Sequence, residues 1–255
     1  MIDAVVLAGG VDRGDIAAET GILHRALLDV AGRPIILRIV AALRGASEVG
    51  KVALVAPPPV QAAVGDAAVD LRVDAGDSFV DNLVRGVDAT APGADHLLVL
   101  TGDLPLITPA ALNDLVRQSL ASRADVTYSI IPRDATERAF PGGRRTYARL
   151  RDGAFTGGNA VVLSRQFVAL RRDLIGRLYA ARKNPLKLAA ILGLRFLLGL
   201  LTHRLTIAEL EERASAIVAA RVRAVVSSYP ELGFDVDKLA DLYLARRVAD
   251  SFDSR

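Results

Sequence analysis

Asp103 stands where a carboxylate could hold a metal ion. It follows the apolar run 97–100 and Gly102, and Pro105 restricts the turn that comes after it. A carboxylate at the end of a buried strand, beside a glycine that allows close approach, suits a hard cation. Mg²⁺ takes one or two protein carboxylates and leaves its other positions to phosphate and water. The alternative interpretation is that Asp103 only caps a turn that begins a helix.

A second acidic pair lies near the end of the chain, in the segment Gly233-Phe234-Asp235-Val236-Asp237. In an extended backbone, residues two apart point to the same face, so both carboxylates would lie side by side. Two like charges at that distance repel unless a cation or a basic side chain neutralises them. Asp235 and Asp237 are therefore candidate metal ligands, or else polar residues that cap a helix beginning near Lys238.

The third candidate is the apolar run Ala4–Ala8, which stops at Gly9 and Gly10. A strand that ends in two glycines leaves backbone N–H groups bare at the carboxyl edge of a sheet. That edge is where open α/β sheets bind their ligands, and bare N–H groups favour phosphate. The alternative is an ordinary tight turn.

Alternating strands and helices in the first half of the chain would bring these candidates to one sheet edge. The alternation predicts an α/β fold with a doubly wound, mostly parallel sheet, and the continuous apolar runs are typical of strands covered on both faces. Ser78 and Thr108 are predicted N-caps of the helices that follow them. The predicted strands are 4–7, 51–56, 71–73, 96–101 and 125–131, and the predicted helices are 34–43, 78–89 and 109–122.

The second half of the chain has a different pattern. Residues 133–145 are rich in Arg, Gly and Pro, which predicts an exposed loop. The stretch 164–219 predicts a helical insertion or lid, broken at Asn184-Pro185 and near Thr202. Without repeats or an obvious linker, residues 1–255 are interpreted as a single domain. Further strands are predicted at 146–151, 158–163, 222–227 and 234–236, and a last helix at 238–249.

Composition excludes several kinds of site. The chain has no cysteine, which rules out disulfides and thiol ligands, and only 3 histidines, which disfavours a histidine-rich metal site. Aromatic residues make up 5% of the chain and none interleaves with its basic segment, so nucleic acid is not an expected partner. The first apolar run is too short for a secretory signal, which favours a cytoplasmic location.

Basic residues gather in the segment 171–204, which contains a single acidic residue, Asp173. Such a segment suits an anionic ligand or a peripheral contact with an anionic membrane. Its apolar run 188–201 is too short to span a bilayer, which needs about 20 residues. A helix buried against the sheet, a lid and a membrane-surface helix all remain open for this run.

Five short motifs, in order along the chain, carry a resemblance to a known family. The chain resembles the nucleotidyltransferase superfamily with a GT-A-type fold, and within it the molybdenum-cofactor-guanylyltransferase-like NTP transferases. The resemblance extends from Met1 to about Leu244 and is weakest over 171–220. The motifs are Leu7-Ala8-Gly9-Gly10, Arg25-Ala26-Leu27-Leu28 followed by Val30, Gly32 and Pro34, Thr101-Gly102-Asp103-Leu104-Pro105, Thr156-Gly157-Gly158-Asn159, and Phe234-Asp235-Val236-Asp237-Lys238.

The resemblance implies a role for each matching residue. Arg25 stands where the family usually has a lysine that grips the triphosphate, and Arg25 and Asp103 would be the catalytic residues. Asp103 would bind Mg²⁺, with Asp237 or Asp235 as the second ligand. Leu7, Ala8, Gly9 and Gly10 would lie against the nucleotide, Asn82 and Gly86 would flank its base, and Gly158 and Asn159 would face the acceptor.

Two features depart from the family pattern. The usual compact glycine-rich loop is replaced by the longer segment 11–20, which brings Asp12, Asp15 and Glu19 near a polyanion. The usual lysine is replaced by Arg25. Arginine keeps the charge and can hold phosphate through two parallel hydrogen bonds, but it is larger and planar.

The activity implied by the resemblance is Mg²⁺-dependent transfer of a nucleoside monophosphate from an NTP to an anionic, phosphorylated small molecule, with release of pyrophosphate. One alternative is a GT-A-type glycosyltransferase, although those enzymes typically show Asp-x-Asp where this chain has Gly102-Asp103-Leu104. The other is a degenerate protein that binds nucleotide without catalysis or contacts a membrane surface through 171–204. The sequence leaves the base, the acceptor and the oligomeric state open.

Overall fold

The computed structural model describes residues 1–65, 68–181, 199 and 202–253. Short 3-10 turns within these ranges lie at Arg25–Leu27 and Pro230–Gly233. The strands are β1 (Ile2–Leu7), β2 (Asp29–Val30), β3 (Arg33–Pro34), β4 (Val49–Ala56), β5 (Leu71–Asp74), β6 (His96–Thr101), β7 (Val126–Pro132), β8 (Ala148–Leu150), β9 (Gly153–Ser164) and β10 (Val222–Val226). The helices are α1 (Asp15–Thr20), α2 (Ile35–Gly45), α3 (Pro58–Val64), α4 (Phe79–Ala89), α5 (Pro109–Ser122), α6 (Arg133–Ala139), α7 (Arg165–Ala181), α8 (Ile207–Val218) and α9 (Leu239–Asp253).

An 8-stranded sheet forms the centre of the molecule, in the order β10-β7-β9-β6-β1-β4-β5 with β8 paired to β9. β1 pairs in parallel with β4 and β6, β4 with β5, and β7 with β10. β9 runs antiparallel to β6, β7 and β8. The predicted α/β fold with a mostly parallel sheet is confirmed.

Helices cover both faces of this sheet, which explains why its central strands are apolar along their whole length. In β1, Ala4 and Val6 belong to a core that includes residues of α2, α5 and α9. Val5 and Leu7 belong to a second core that includes residues of α4 and α7. Alternate strand residues point to opposite faces, so a strand buried on both faces has no polar positions.

The predicted starts of two helices are confirmed by their capping hydrogen bonds. The Ser78 hydroxyl accepts a hydrogen bond from the backbone N–H of Asp81 at the start of α4, 3.1 Å away. The Thr108 hydroxyl accepts one from Ala111 at the start of α5, 3.2 Å away. These caps satisfy N–H groups that have no partner within the helix, and they fix where each helix begins.

Two predicted elements are wrong. The expected loop 133–145 begins with helix α6, which is supported by ion pairs one turn apart, Arg133 with Glu137 and Asp134 with Arg138. The expected strand 234–236 lies outside the sheet. Its Val236 N–H donates instead to the backbone oxygen of Asp103, 3.1 Å away, which ties this segment to the end of β6.

The stretch predicted as a helical insertion contains α7 and α8. α7 is kinked at Arg171, where the backbone φ is −123°. The predicted break near Thr202 is confirmed, because residues 202–206 are not helical. The predicted break at Asn184-Pro185 and most of the apolar run 188–201 lie outside the described residues. In the part of the chain that is described, no helix is long and apolar enough to cross a membrane.

Candidate active site

A cavity of about 250 Å³ opens at the carboxyl ends of β1 and β6. Most of the residues predicted to meet a nucleotide line it, and so do several that the sequence did not single out. Its lining comprises Leu7, Ala8, Gly9, Gly10, Arg25, Ala26, Gly76, Asp77, Ser78, Phe79, Asn82, Thr101, Gly102, Asp103 and Tyr179. The cavity therefore collects chain segments that are far apart in sequence at the sheet edge where α/β folds bind ligands.

Three carboxylates cluster beside this cavity. One oxygen from each of Asp103, Asp235 and Asp237 lies within 4.8 Å of the others. Neither of the helix-capping alternatives is seen among the described hydrogen bonds. Thr108 caps α5, and the N–H groups of Asp237 and Lys238 that precede α9 are accepted by Asp241 at 3.2 and 3.1 Å.

Arg25 lies between two of the clustered carboxylates. Its Nη1 is 2.5 Å from Asp237 Oδ1 and 3.3 Å from Asp103 Oδ2, and it also donates to the backbone oxygen of Val236 at 3.1 Å. Its Nε is 3.9 Å from Asp12 Oδ2. The side chain is 24% exposed and lines the cavity, so this cation can be reached by a ligand.

Arg145 neutralises the third carboxylate, and sequence reasoning missed it. Its Nη1 is 2.5 Å from Asp235 Oδ1, and its Nη2 donates to the backbone oxygen of the same residue at 2.7 Å. The guanidinium carbon lies 4.8 Å from the ring centroid of Phe234. Arg145 comes from the segment interpreted as an exposed loop, and no spacing in the sequence links it to Asp235.

Burial makes two of the clustered carboxylates, Asp235 and Asp103, hold protons more tightly than ordinary aspartates do. It raises the pKa of Asp235 to about 6 even though Arg145 opposes the shift, and the charges of Asp237 and Asp103 add to it. Burial also raises the pKa of Asp103, although the neighbouring Thr101 hydroxyl and Arg25 oppose that shift. The two arginines therefore neutralise the buried negative charge only in part, which favours a further cation.

One oxygen of Asp103 is unused in the described part of the chain. Its Oδ1 is buried there and has no hydrogen-bond partner. A buried carboxylate oxygen without a partner is costly, and a metal ion is one way to satisfy it. The three clustered side chains offer carboxylate oxygens, which suit a hard cation such as Mg²⁺ better than zinc or copper.

The two glycines at the end of β1 leave the cavity wall open. Among the described residues, neither the Gly9 nor the Gly10 N–H donates a hydrogen bond, while Ala8 N–H donates to Val55 oxygen at 2.9 Å. A Cβ on Gly9 would lie 3.0 Å from Asn82 Nδ2, whereas one on Gly10 would meet nothing within 4 Å. The bare N–H groups fit the predicted phosphate contact.

In the acidic loop 11–20, the buried carboxylate of Asp12 stabilises the local backbone. Asp12 Oδ1 accepts hydrogen bonds from the N–H groups of Gly14 and Ala17, at 2.8 and 3.2 Å. These contacts hold the start of α1, and the other oxygen faces Arg25. Asp15 and Glu19 are exposed. Asp12 thus forms part of the charge network around Arg25.

Besides Asp235 and Asp237, which lie beside the cavity, three more predicted site residues do not line it. Gly86 packs α4 on the sheet, since a Cβ there would lie 2.3 Å from Val5 Cγ1. Gly158 lies in β9, where a Cβ would be 2.0 Å from Ser129 Oγ. Asn159 is its neighbour in the same strand. The predicted contacts of Gly86 with the base and of Gly158 and Asn159 with the acceptor stay predictions.

Two aromatic residues that the sequence did not single out also line the cavity. Phe79 is the first residue of α4, and Tyr179 lies near the end of the described part of α7. Their rings stack with centroids 4.1 Å apart and planes 6° from parallel. No motif signals this pair, because α7 lies where the family resemblance is weakest.

Similarity searches agree with this geometry. A hypothetical transferase from Thermus thermophilus is 36% identical and superposes over 94% of this chain and 99% of its own, with a TM-score of 0.84. A nucleotidyl transferase from Methanothermobacter thermautotroptrophicus, 24% identical, covers 100% of this chain and 98% of its own with a TM-score of 0.59, which shows the fold alone. The bifunctional protein GlmU of Agrobacterium fabrum is 36% identical over 132 residues, which make up 48% of this chain and 27% of that protein.

This chain thus spans only about a quarter of that curated relative's length. A family model matches a much larger share of the chain, from residue 4 to residue 198. It describes MobA-like NTP transferase domains. A cavity lined by bare N–H groups, an arginine and an aspartate is consistent with binding of an NTP. The chain belongs to the MobA-like NTP transferase domain family.

Proposed function

We propose that this protein transfers a nucleoside monophosphate from an NTP to an anionic, phosphorylated small molecule and releases pyrophosphate. The observation that carries the proposal is the position of Arg25 and Asp103 in one cavity with the bare N–H groups of Gly9 and Gly10. Cationic and N–H donors of this kind bind phosphates, and a carboxylate beside them suits the metal that accompanies a triphosphate.

We assign the metal site to Asp103, with Asp237 and Asp235 as the neighbouring carboxylates. Oδ1 of Asp103 lacks a partner among the described residues, and the three carboxylates are close enough to share one ion. A bound Mg²⁺ would supply charge neutralisation at the phosphates. Asp235 is the least available of the three, because Arg145 holds both its side chain and its backbone oxygen.

The reaction needs no covalent nucleophile from the protein. An oxygen of the acceptor phosphate attacks the α-phosphorus, the bond from that phosphorus to the bridging oxygen breaks, and pyrophosphate leaves with the electron pair. Arg25 and the N–H groups of Gly9 and Gly10 hold the phosphates and stabilise charge in the transition state. Arg25 has to exchange its contacts with Asp103 and Asp237 for phosphate oxygens, and its partly exposed position at the cavity allows that exchange.

The chemistry of the acceptor is proposed from charge alone. The basic segment 171–204 favours an anionic acceptor, but Arg182, Lys183, Lys187 and Arg195 lie outside the described residues. Of the described arginines, Arg171 donates to the backbone oxygens of Val218 and Ala219, at 2.9 and 3.4 Å, which gives it a structural use at the end of α8. A membrane contact through this segment stays a prediction.

A thermal-shift screen of the four NTPs, with and without Mg²⁺, tests the proposal. We expect at least one NTP to stabilise the protein more strongly with Mg²⁺ present. At about 100 times its dissociation constant, a ligand adds roughly 2.7 kcal/mol to the free energy of unfolding. No stabilisation by any NTP would contradict the proposal.

Asp103→Asn is the decisive variant in that screen. We expect it to keep its fold but to lose the additional stabilisation that Mg²⁺ provides. With an accepted acceptor, we also expect it to release pyrophosphate at least about 100-fold more slowly, since even groups that only support metal ligands typically cost 10–100-fold. Asp88→Asn, at an exposed position of α4, is the matched control. Activity of Asp103→Asn within about tenfold of the wild type would refute the assigned role.

A further inference from the structure

The aromatic pair Phe79–Tyr179 is not explained by phosphate or metal binding. Both residues are only partly buried, and both line the cavity described above. α4 packs on β1, β4 and β5, whereas Asp103 follows β6, so the pair lies on the β4 and β5 side of the cavity. The carboxylates and Arg25 lie on the β6 side.

The pair is not the only contact between α7 and α4 among the described residues. Leu83 and Val84 of α4 already share an apolar core with Phe167 and Val168 of α7. Near the described end of α7, Gly176 also approaches α4 closely, since a Cβ there would lie 3.7 Å from Val80 Cγ2. The stacked rings therefore add an aromatic surface to a cavity whose other side is polar and charged.

Asn82 lies close both to the pair and to the end of β1. Asn82 lies one turn after Phe79, and its Oδ1 accepts the N–H of Gly76 at 2.6 Å. This hydrogen bond fixes the amide, so that Nδ2 faces Gly9. A ligand whose phosphates lie at Gly9 and Gly10 can extend from there past Asn82 toward the rings.

We infer that the Phe79–Tyr179 pair forms a stacking surface for the nucleobase of the NTP. This inference rests on the proposed function and makes α7, the first helix of the insertion, part of the nucleotide site. Stacking on an aromatic ring adds affinity for any base, because every base has a π-face. The ring of Tyr179 thus contributes to how tightly the nucleotide binds, whichever base it carries.

Calorimetric titration of Tyr179→Ala tests the inference with two probes. The first is the NTP that stabilises the wild type most, and the second is inorganic tripolyphosphate, which lacks a base, both with Mg²⁺. We expect NTP affinity to fall by about 5- to 150-fold, the equivalent of losing one base–aromatic stack. Affinity for tripolyphosphate should stay within about twofold of the wild type, because the phosphate contacts are unchanged.

Three further variants make the result unambiguous. Tyr179→Phe keeps the ring and should bind NTP like the wild type, and Tyr243→Ala removes an exposed tyrosine of α9 as the matched control. Tyr179→Leu keeps apolar packing on Phe79 and replaces Tyr179→Ala if the alanine variant does not fold; it should show the same selective loss.

Each other outcome overturns the inference. Unchanged NTP affinity in Tyr179→Ala refutes the stacking inference and leaves the proposed function intact. An equal loss of affinity for NTP and tripolyphosphate also refutes the inference, because it would show that Tyr179 has a structural role only. If the wild type binds no NTP, the proposed function fails and the inference fails with it.

Discussion

The two sides of the cavity are built in different ways. On the acidic side, Asp103, Asp235 and Asp237 come from two distant segments, and hydrogen bonds to Arg25, Arg145 and Asp241 hold them in place. On the aromatic side, Phe79 and Tyr179 are positioned by the packing of two helices. Directional contacts place charges accurately, which phosphoryl transfer requires, whereas a ring surface tolerates small displacements.

The two arginines on the acidic side show the same contrast on a smaller scale. Arg145 is 13% exposed and donates to one carboxylate oxygen and to the backbone oxygen of Asp235. Arg25 is 24% exposed and faces the cavity. We infer that Arg145 mainly stabilises the folded cluster, while Arg25 is available to the ligand.

The largest effect on stability is expected for Arg145→Met. This change leaves Asp235 buried without its partner, and breaking a buried ion pair on one side typically costs about 3–5 kcal/mol. Chemical denaturation at pH 8, where Asp235 of the wild type is ionised because its pKa is about 6, measures the loss.

Arg25→Met is the matched comparison, and its loss of stability should be clearly smaller because the side chain is more exposed. An equal or larger loss in Arg25→Met would contradict the division of roles between the two arginines. Restoring part of the stability with Asp235→Asn in the Arg145→Met background would support it.

Gly86→Ala tests whether the aromatic side of the cavity depends on close packing of α4 against the sheet. The new Cβ would lie 2.3 Å from Val5 Cγ1 and 3.0 Å from Val55 Cγ2. Such overpacking typically costs about 1–3 kcal/mol, which outweighs the better helix propensity of alanine. Thermal unfolding measures the loss.

Gly10→Ala is the control for that measurement, because its Cβ would meet nothing within 4 Å. We expect its melting temperature to match that of the wild type. Equal melting temperatures for Gly86→Ala and wild type would show that α4 adjusts without strain, and that the aromatic side is looser than its packing indicates.

The smallest effect is expected for Ser78→Ala, which removes the cap of α4 directly before Phe79. Losing an N-cap hydroxyl costs about 1 kcal/mol. We expect slightly weaker NTP binding as well, because the first turn of α4 carries one of the two stacked rings. Ser78→Asp keeps a capping acceptor and should restore stability; failure to do so would mean that the hydroxyl does not act as the cap.

The acidic side could be predicted from sequence because each of its carboxylates lies in a recognisable local pattern. Asp103 follows an apolar strand, and Asp235 and Asp237 lie two apart before a helix. Their meeting in space depends on the hydrogen bond from Val236 N–H to the backbone oxygen of Asp103, which ties the segment 234–236, outside the sheet, to the end of β6. Arg145 was missed because its guanidinium reaches Asp235 from a segment without periodicity.

The aromatic side could not be predicted, for a different physical reason. Which residues of α7 face the cavity depends on the kink at Arg171 and on packing against α4, and neither leaves a spacing signal. Helix α6 was missed because nearby glycines and prolines masked its one-turn ion pairs. Local patterns thus identified groups with chemistry, and tertiary packing decided which surfaces surround them.

The reversed strand β9 has a consequence for how the chain folds as it is synthesised. Among the described strands, β6 and β7 are joined only through β9, which comes later in the chain than both. Until residues 153–164 leave the ribosome, the apolar strand β6 has an open edge, and such edges pair with other chains. Truncations that end before β9 should therefore aggregate. In truncations that end after β9, the edge of β6 should be covered by β9.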